Sequence, residues 1–464
     1  MPIRGPYNDR VATYFVENFG CRATQADGAA IERQLLGRGL ERAGSASEAE
    51  VVVLNTCTVT ASADQDVRST IRRIHRENPA SKIVVTGCYA QRAPGELCAL
   101  PGVSLVVGNS HKHAVADYAA SPAAANGLVA LHQVRPVAES NVIIGDIFAH
   151  TELLGAPVFD GEDSAEKTRP NLKVQDGCNN RCSFCIIPFV RGRSRSLQLD
   201  GVIRETNALV ARGYREIVLS GINLGRWGRE LTPRSSFAAM LRAVLEHTAI
   251  EKLRISSVEP MDWSDELIEL VASSPRIAKH AHVPLQSGSD TVLRRMHRKY
   301  RPWHYAERIE RIRRAMPDAA IGADVLVGFP GETGEDFEQT RALIERLPFT
   351  YLHVFTYSSR PGTPSAEMPD QVPVRVARDR NRVLRELGAR KKREFMQTFV
   401  GRNLNAITLT RFDGEFTEAL TDNYLKMQVR GQFASNLLAK VAVEAVKSET
   451  LIGTPVVVGM SQII

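Results

Sequence analysis

Residues 171–185 read NLKVQDGCNNRCSFC, in which a short run of alternating polar and apolar residues is followed directly by three closely spaced cysteines. The run NLKVQDG (171–177) predicts a β-strand, and Cys178 comes immediately after it. A loop after a strand of a parallel α/β domain lies at the carboxyl edge of the sheet, where such domains assemble their binding sites. The chain has only seven cysteines in 464 residues, so three of them within eight positions indicate a common function.

The alternation of strands and helices predicts the architecture of the central region. A helical segment follows each of six strand candidates, which lie at 171–177, 216–223, 252–259, 280–288, 320–330 and 351–359. Six such units are two short of a closed eight-stranded barrel. The sequence therefore predicts an open, partial (β/α)6 barrel.

The amino-terminal region also alternates, but with shorter units. Four nearly continuous apolar runs are separated by helical patterns, at 11–18, 50–56, 81–87 and 103–108. Such runs are typical of a parallel sheet that is covered on both faces. We therefore expect an α/β domain with a doubly wound parallel sheet.

The carboxyl-terminal region has a different pattern. After a basic helix that ends near residue 398, short alternating runs separated by turn residues predict a small all-β barrel of about five strands. The predicted organisation is an N-terminal domain over 1–125, a linker over 126–165, a central domain over 166–398 and a β barrel over 399–464.

Composition adds weaker indications about location and partners. The segment MPIRGPYNDR (1–10) lacks the apolar core of a signal peptide, and no apolar run approaches the ~18 residues of a membrane span. We expect a cytoplasmic protein without membrane contact, whose cysteines are unlikely to form structural disulfides. Lys and Arg outnumber Asp and Glu by 59 to 52, a net charge of +7 that permits an anionic partner without proving one.

The central triplet consists of Cys178, Cys182 and Cys185. Thiolates favour zinc or iron–sulfur clusters. A structural zinc site normally presents four protein ligands in two separated pairs, whereas this loop offers three in one compact group. Three thiolates on a cubane 4Fe–4S cluster would leave one iron open for a small molecule. Buried, inert cysteines would fit poorly with the polar residues between them.

The N-terminal triplet consists of cysteines that each follow a different strand candidate, namely Cys21, Cys57 and Cys88. Ends of parallel strands share one edge, so these residues can converge in space. Gly20 and Gly87 precede two of them and would allow close backbone approach. Unrelated buried cysteines are the alternative, because Cys is among the most buried residues. The threefold repetition favours a second cluster, and Cys98, outside the pattern, is predicted to be structural or free.

Taken together, these motifs resemble the methylthiotransferase family of the radical S-adenosylmethionine superfamily. The spacing Cys-x3-Cys-x2-Cys, with Phe184 before the last cysteine, is similar to the superfamily signature. The motifs FGC, NTC and GCYAQ resemble the auxiliary-cluster domain of the family, and the predicted β barrel resembles its TRAM domain, an RNA-binding module. One departure is Thr24, at a place where family members often carry Asn.

The resemblance implies two 4Fe–4S clusters and S-adenosyl-L-methionine as cofactors. The central triplet would bind the cluster that holds S-adenosyl-L-methionine, and the N-terminal triplet would bind the second cluster. Further candidates for the cofactor site lie at or beyond strand ends, at Gly221, Ser257, Glu259, Gln286 and Gly328. Turn formation and helix capping are the alternative roles of these five. No catalytic residue beyond the cluster ligands is predicted.

Within the family, NTCTVT (55–60) together with GCYAQ resembles the branch that acts on N6-threonylcarbamoyladenosine in tRNA. The implied reaction is methylthiolation of C2 of this adenine next to the anticodon, by radical chemistry with sulfur delivered at the second cluster. Alternatives are methylthiolation of isopentenyladenosine in tRNA or of a ribosomal protein side chain. A zinc-dependent RNA-binding protein and an electron carrier are alternatives from other classes.

The implied partners are the anticodon stem-loop of tRNA, an electron donor such as flavodoxin or ferredoxin, and a sulfur source. Three basic segments are candidates for RNA contact, at 67–77, 294–314 and 375–395. Arginines after the central triplet could reach a substrate, namely Arg191, Arg193 and Arg195. The alternative is a set of solvated helix faces with Glu partners.

Overall fold

The computed structural model describes residues 11–120, 141–151, 153 and 168–457. None of the helices in these ranges combines the length and apolarity needed to cross a membrane. Much of the predicted linker, at 126–140 and 154–165, lies outside the described residues, as does the segment 1–10 that was considered for a signal peptide.

The chain divides into two compact units. The first comprises the described parts of Met1–Ala156 with Ile187–Arg193, and the second those of Pro157–Ile186 with Ser194–Ile464. The β barrel thus shares a unit with the central region, and the division into three functional domains stays a prediction.

A parallel sheet of six strands forms the centre of the first unit. Its strands are β1 (Thr13–Asn18), β2 (Glu41–Arg42), β3 (Val51–Thr56), β4 (Lys82–Gly87), β5 (Val103–Gly108) and β6 (Val142–Ile143). They lie side by side in the order β2-β1-β3-β4-β5-β6. The helices are α1 (Arg22–Gly37), α2 (Ala61–Glu77), α3 (Cys88–Arg92), α4 (Pro94–Cys98), α5 (Val115–Ala120) and α6 (Ile187–Arg191).

Helices cover both faces of this sheet. Along β3, Val52 and Leu54 pack with apolar residues of α2, α3 and α4. Val51 and Val53 point the other way and pack with α1 and α5. All six residues of β3 are buried, which explains the continuous apolar run in its sequence. The predicted doubly wound sheet is confirmed.

The second unit contains the predicted open barrel. Its strands are β7 (Asn171–Asp176), β8 (Arg195–Ser196), β9 (Glu216–Gly221), β10 (Lys252–Ile255), β11 (His280–His282), β12 (Ala320–Val327) and β13 (Tyr351–Thr356). The sheets β10-β9-β7-β8 and β11-β12-β13 are joined by single bridges such as Ser257 to His282. Six parallel strands therefore form one arc, with the antiparallel β8 at its edge.

Seven helices accompany these strands: α7 (Leu199–Ala211), α8 (Phe237–His247), α9 (Asp265–Ser273), α10 (Asp290–Arg295), α11 (Pro302–Ala315), α12 (Gly334–Arg346) and α13 (Val374–Gln397). All six predicted strands are present, but each ends earlier than its apolar run suggested. Gln286, for example, has a φ of 64°, so the predicted strand 280–288 turns into a loop after β11. These early turns place the polar ends of the runs in loops at the carboxyl edge.

The carboxyl-terminal strands are β14 (Asn403–Phe412), β15 (Phe416–Thr421), β16 (Lys426–Arg430), β17 (Leu438–Lys447) and β18 (Thr450–Val457). They close a barrel in the order β14-β15-β16-β18-β17, which confirms the prediction. Arg254 on β10 donates to the carbonyls of Thr421 and Asp422, both at 3.1 Å. The β15–β16 turn therefore lies at the amino-terminal ends of β9 and β10, and their carboxyl ends are left for a site.

Candidate functional site

The central triplet lies in the loop after β7, as predicted. Gln175 of β7 is buried, and its side-chain amide donates to the carbonyls of Asp176 and Gly177, both at 2.8 Å. Its Oε1 accepts the backbone N–H of Asn223 at 2.7 Å. One satisfied, buried side chain therefore ties the cysteine loop to the loop after β9.

Hydrogen-bond donors contact the sulfurs of Cys178 and Cys182. Cys178 Sγ accepts the backbone N–H of Asn180 at 3.3 Å and the side-chain amide of Asn223 at 3.6 Å. Burial raises the pKa of Cys178, and these two hydrogen bonds oppose that rise. Cys182 Sγ accepts a guanidinium N–H of Arg298 at 3.2 Å. Such donors favour the thiolate form, which is the form that binds metal.

Arg298 is a site residue that the sequence analysis missed. Its buried guanidinium contacts Cys182, pairs with Glu259 and donates to Tyr300 Oη at 3.3 Å. Burial lowers the pKa of Arg298, but Tyr300, Glu259 and Cys182 outweigh this and hold it well above its usual value. The candidate Glu259 is thus linked to Cys182 of the central triplet through the buried guanidinium of Arg298.

The loop is also anchored on its apolar side. The ring of Phe184 packs edge-on against Phe329, with centroids 6.4 Å apart. Ser183 donates through its hydroxyl to the carbonyl of Arg295 at 2.7 Å and through its N–H to that of Met296 at 3.2 Å. The triplet is therefore held against the end of α10.

Two of the predicted cofactor residues are glycines with clear steric reasons. A Cβ at Gly221, the last residue of β9, would lie 2.9 Å from Oε1 of Gln175. Gly328 follows β12 with a φ of 76°, and a Cβ there would lie 2.5 Å from Cβ of Ala377 on α13. Close packing accounts for both glycines, and their cofactor roles stay predictions.

The other candidates lie near the same edge. Ser257 is exposed just beyond β10, and Glu259 follows it in the same loop. Gln286 lies in the loop after β11, where its carbonyl accepts the N–H of Leu326 at 2.9 Å. The structure brings these side chains to one edge, and their cofactor roles stay predictions.

Three buried oxygens near these strand ends have no hydrogen-bond partner within the described part of the chain. They are Oγ of Ser220, Oγ of Ser256 and Oδ1 of Asn223. Buried polar groups are rarely left unpaired. These atoms therefore fit a ligand that brings its own polar groups. The sequence analysis singled out the neighbouring Gly221 and Ser257 but not these three residues.

The N-terminal triplet lies at the carboxyl ends of β1, β3 and β4. Thr56 and Gly87 are register partners, so Cys57 and Cys88 follow neighbouring strands at the same level. Gly87 has a φ of 101°, and a Cβ there would overlap the backbone of Thr56. The expectation of close backbone approach at this glycine is confirmed.

Gly20 likewise permits a close backbone approach, here between the loop that carries Cys21 and the residue Cys57. A Cβ at Gly20 would lie 2.5 Å from Cβ and 2.8 Å from Sγ of Cys57. Only glycine lets the loop that carries Cys21 pass so close to Cys57. Burial, together with the Cys88 and Cys21 thiols, raises the pKa of Cys57 to about 11. The three sulfurs therefore share one electrostatic environment.

Cys98 belongs to neither triplet. It lies at the end of α4 and packs against the apolar core of the first unit.

A buried ion cluster lies close to the N-terminal triplet. Asp27 on α1 accepts from Nζ of Lys112 at 2.7 Å and from the guanidinium of Arg191 at 3.0 Å. The side chains are 1%, 5% and 2% exposed, respectively. Arg191 also lowers the pKa of Cys57, against the larger effect of burial. The expectation that Arg191 reaches out to a substrate is wrong, because its guanidinium is buried and donates to Asp27.

Asn109 connects this region to the cysteines. Its side-chain amide donates to the carbonyl of Val190 at 2.6 Å and to Sγ of Cys88 at 3.6 Å. Its buried Oδ1 has no hydrogen-bond partner in the parts of the chain described. The side-chain N–H group of Asn109 therefore donates to the Cys88 sulfur, whereas its Oδ1 can accept a hydrogen bond.

Comparison with known proteins gives these sites a context. Residues 13–108 match the model of the uncharacterized protein family UPF0004, and residues 172–344 match that of the radical SAM superfamily. The threonylcarbamoyladenosine tRNA methylthiotransferase MtaB of Bacillus subtilis (strain 168) is 38% identical over 431 residues, which cover 91% of each chain. The chain belongs to the radical S-adenosylmethionine methylthiotransferase family.

Other matches agree with this membership. The tRNA-2-methylthio-N(6)-dimethylallyladenosine synthase of Acidothermus cellulolyticus is 38% identical over 384 residues, 82% of this methylthiotransferase and 74% of the relative. A structure of the radical S-adenosylmethionine methyltransferase TsrM from Kitasatospora setae has a TM-score of 0.56 and 18% identity, and 77% of each chain is covered. At that identity the likeness shows the fold alone.

Membership implies that this methylthiotransferase uses a 4Fe–4S cluster and S-adenosylmethionine. The residues at the carboxyl edge of the second unit fit both groups. The three thiols are soft donors that suit iron, and their hydrogen-bond donors favour thiolates. The unpaired oxygens of Ser220, Ser256 and Asn223 fit the polar groups of S-adenosylmethionine.

The basic segments of the methylthiotransferase differ in how free their charges are. In 294–314, Arg308 and Arg311 pair with Asp265 at 3.0 and 2.9 Å, and Arg298 is buried. This segment follows the alternative of ion-paired helix faces.

In 67–77, Arg68 donates to Tyr89 Oη at 2.7 Å, whereas Arg72 and Arg76 are exposed. Of the arginines after the central triplet, Arg195 is buried and lies 3.7 Å from Asp176. Arg72 and Arg76 therefore carry exposed charges, whereas the charge of Arg195 is buried.

On α13, four exposed arginines have no ion-pair partner in the described residues: Arg393 near the end of the helix and, in its first half, Arg375, Arg378 and Arg385. The spacings of three and seven between Arg375, Arg378 and Arg385 place these three on one face of the helix. We refer to these three side chains as the α13 stripe.

Replacing Asp27 tests the buried ion cluster. In Asp27→Asn the two cations lose their counter-charge, and removal of one partner from a buried pair costs about 3–5 kcal/mol. Lys112 can release its proton to relieve this, since burial lowers its pKa. We therefore expect the free energy of unfolding to fall by about 3 kcal/mol in urea denaturation, the lower end of that range.

The control for this experiment is Asp117→Asn. It breaks the exposed pair between Arg38 and Asp117 in the same unit, and such pairs contribute about 1 kcal/mol or less. Equal losses in the two variants would show that the buried cluster does not stabilise this unit.

Proposed function

We propose that this methylthiotransferase acts on tRNA and modifies C2 of N6-threonylcarbamoyladenosine next to the anticodon. The observation that carries this proposal is the alignment with the Bacillus subtilis threonylcarbamoyladenosine enzyme over 91% of both chains. The dimethylallyladenosine relative has the same identity but aligns over only 82% and 74%. The motif NTCTVT (55–60) supports the same branch.

In this proposal each triplet holds one 4Fe–4S cluster. When bound, the cluster at the central triplet with S-adenosylmethionine supplies a 5′-deoxyadenosyl radical by reductive cleavage, and the one at the N-terminal triplet supplies the sulfur. An external electron donor, such as flavodoxin or ferredoxin, and a sulfur source complete the reaction. A cytoplasmic location stays a prediction.

The residues of the chain have defined tasks around these groups. Arg298 donates a hydrogen bond to the sulfur of Cys182 and pairs with Glu259 beside it. Ser220 and Ser256 offer hydroxyl groups to the polar end of S-adenosylmethionine. Gly221 and Gln286 shape the loops around this site. No side chain is assigned as a general base, because an aromatic C–H bond is broken by a radical and not by proton transfer.

In the first unit, buried positive charge would stabilise the proposed second cluster. Lys112 and Arg191 together carry one positive charge more than Asp27 neutralises. A cluster held by three thiolates is anionic, and nearby buried cations stabilise it. Asn109 adds a hydrogen bond to Cys88.

The α13 stripe is the proposed contact for RNA phosphates. Its three guanidinium groups project from the helix that leads into the β barrel. Arginine binds phosphate oxygens with two parallel hydrogen bonds, and its attraction to RNA does not depend on base sequence. The stripe would therefore add affinity, while the adenine is selected elsewhere.

Single cysteine variants separate the two clusters. Cys182→Ala should abolish reductive cleavage of S-adenosylmethionine, because it removes a ligand of the first cluster. Cys57→Ala should retain measurable cleavage and lose methylthiolation. Both activities are measured by chromatography of 5′-deoxyadenosine and of modified nucleosides after anaerobic reconstitution.

Cys98→Ala is the matched control, because Cys98 belongs to neither triplet. It should retain both activities and an iron content of about eight atoms per chain, as two 4Fe–4S clusters contain. Full product formation by Cys57→Ala would refute the assignment of the N-terminal triplet.

The substrate is tested in cells that lack the gene for this chain. Mass spectrometry of tRNA nucleosides should show loss of 2-methylthio-N6-threonylcarbamoyladenosine and restoration by the wild-type gene. The 2-methylthio-isopentenyladenosine level should not change and is the internal control. If only the isopentenyladenosine product disappears, the enzyme belongs to the other branch. If neither changes, the tRNA assignment fails.

The α13 stripe is tested by the salt dependence of tRNA binding. The triple replacement of Arg375, Arg378 and Arg385 by Gln should weaken binding for all tRNA sequences alike. Each phosphate contact contributes about 0.7–0.9 to the slope of log K against log salt. The slope should therefore become smaller by about 2.

A second triple variant controls for the change in net charge. It replaces exposed arginines that already pair with glutamate or aspartate in the same unit, namely Arg311, Arg341 and Arg390. Its slope should match that of the wild-type enzyme. Equal effects of the two triple variants would mean that net charge, and not the stripe, governs binding.

A further inference from the structure

Three side chains with metal-binding atoms meet in the second unit, and none of them belongs to the cysteine triplets. His282, Asp324 and His353 lie on the adjacent strands β11, β12 and β13, and each has a ligand atom within 4.8 Å of the other two. No other three His, Cys, Asp or Glu side chains in the described ranges meet that condition. The proposed function leaves these three residues without a role.

Strand register explains the meeting. Asp324 is the register partner of His353, and His282 is the partner of Gly322, two residues before Asp324. Residues between these positions, such as Ala323, pack in the core with the helices. Side chains alternate along a strand, so the three ligand residues face the interior of the partial barrel.

The contacts converge on one oxygen atom. Oδ1 of Asp324 lies 3.0 Å from Nε2 of His282 and 3.3 Å from Nδ1 of His353. Burial raises the pKa of Asp324, but the hydrogen bonds from the two histidines outweigh it and lower the pKa below its usual value. The carboxylate is therefore anionic, as a metal ligand must be.

An outer hydrogen bond orients one of the histidines. Tyr351 Oη lies 2.9 Å from Nδ1 of His282 and 2.7 Å from Nε2 of His280. When a metal ion takes the place of the Nε2 proton of His282, Nδ1–H can donate to Tyr351 Oη, and the Nε2 lone pair then points at the centre of the group. Metal-binding histidines are commonly fixed in this way through their other nitrogen.

Gly322 makes this outer contact possible. A Cβ at Gly322 would overlap the ring and hydroxyl of Tyr351. Without a side chain there, the tyrosine lies across β12 and reaches the histidines of β11. Gly322 thus leaves room for Tyr351, the residue that orients His282.

The group is open to solvent on one side. The His353 side chain is 52% exposed, whereas that of His282 is 6% exposed. His353 and Tyr351 line a cavity of about 610 Å³ between the end of the partial barrel and the β barrel. An ion can therefore enter, and coordination positions on this side remain available.

We propose that His282, Asp324 and His353 bind one divalent first-row transition metal ion. Two imidazoles and one carboxylate suit zinc or iron(II) and leave positions open for oxygen donors. Magnesium and calcium prefer all-oxygen sites and are not expected. The ion would displace the protons through which the histidines now contact Asp324. This assignment of ligands does not rest on the proposed tRNA reaction.

Zinc is the probe for this proposal. The holoenzyme is reconstituted anaerobically first, so that iron–sulfur clusters occupy the cysteines and do not compete. Equilibrium dialysis should show one zinc site per chain. Anomalous diffraction at the zinc edge should place the ion between the three side chains, with metal–nitrogen distances of ~2.0–2.1 Å.

Variants then identify the ligands. Asp324→Asn and His353→Gln should weaken zinc binding by about 100-fold, and Tyr351→Phe by about 10-fold or more through loss of the outer hydrogen bond. His353→Gln changes an exposed side chain, so its fold should be preserved, which an unchanged iron content will verify. His247→Gln removes an exposed histidine at the end of α8 and should bind zinc like the wild type.

Two results would overturn the proposal. One is the absence of an anomalous peak between the three side chains in crystals equilibrated with zinc. The other is equal zinc affinity in His353→Gln, Asp324→Asn and His247→Gln. Either result would show that the group is a hydrogen-bonded cluster and not a metal site.

Discussion

Neighbouring parallel strands end at one edge of their sheet, and both cysteine triplets depend on this constraint. Strands lie about 4.8 Å apart, so residues just beyond adjacent strand ends can share one ligand. Cys57 and Cys88 satisfy this condition directly, because Thr56 and Gly87 before them are register partners. In the second unit the same edge brings the loop after β7 together with that after β9. Short loops then suffice to hold residues that are far apart in the sequence.

Grouping thiolates is electrostatically unfavourable, and buried positive charge offsets this in each unit separately. Burial and the other two thiols raise the pKa of Cys57, while Arg191 acts in the opposite direction. In the second unit, Arg298 contacts Cys182 directly and is itself balanced by Glu259. Since these cations are buried, water and salt screen them little. The charge balance is therefore built into the fold.

The sequence was sufficient for the parts of the structure that follow from periodicity and spacing. Apolar runs located the main strands of both sheets, and the positions of Cys21, Cys57 and Cys88 after three of them predicted their convergence. The strand lengths were overestimated, because apolar residues continue into loops where a backbone turn such as that at Gln286 ends the pairing. Two-residue strands such as β2 carry too little pattern to be recognised.

The supporting residues of the sites could not be predicted in this way. Arg298 looked like one of many cations in a basic segment, and Arg191 looked like a contact for a substrate. Their actual partners, Cys182 and Asp27, are more than a hundred residues away in the sequence. A side chain on a surface and one that turns inward toward such a partner have the same local sequence pattern. Only the tertiary structure distinguishes them.

Buried contacts attach the β barrel to the partial barrel. Arg254 pairs with Glu216 at 2.7 Å inside the partial barrel, and its remaining donors hold the β15–β16 turn. Tyr424 of that turn stacks on His280, with ring centroids 4.4 Å apart. Because these contacts are buried, breaking them would leave an unsatisfied guanidinium in the interior. The β barrel is therefore fixed to the partial barrel at the amino-terminal ends of β9 and β10, opposite the edge that carries the cysteine loop.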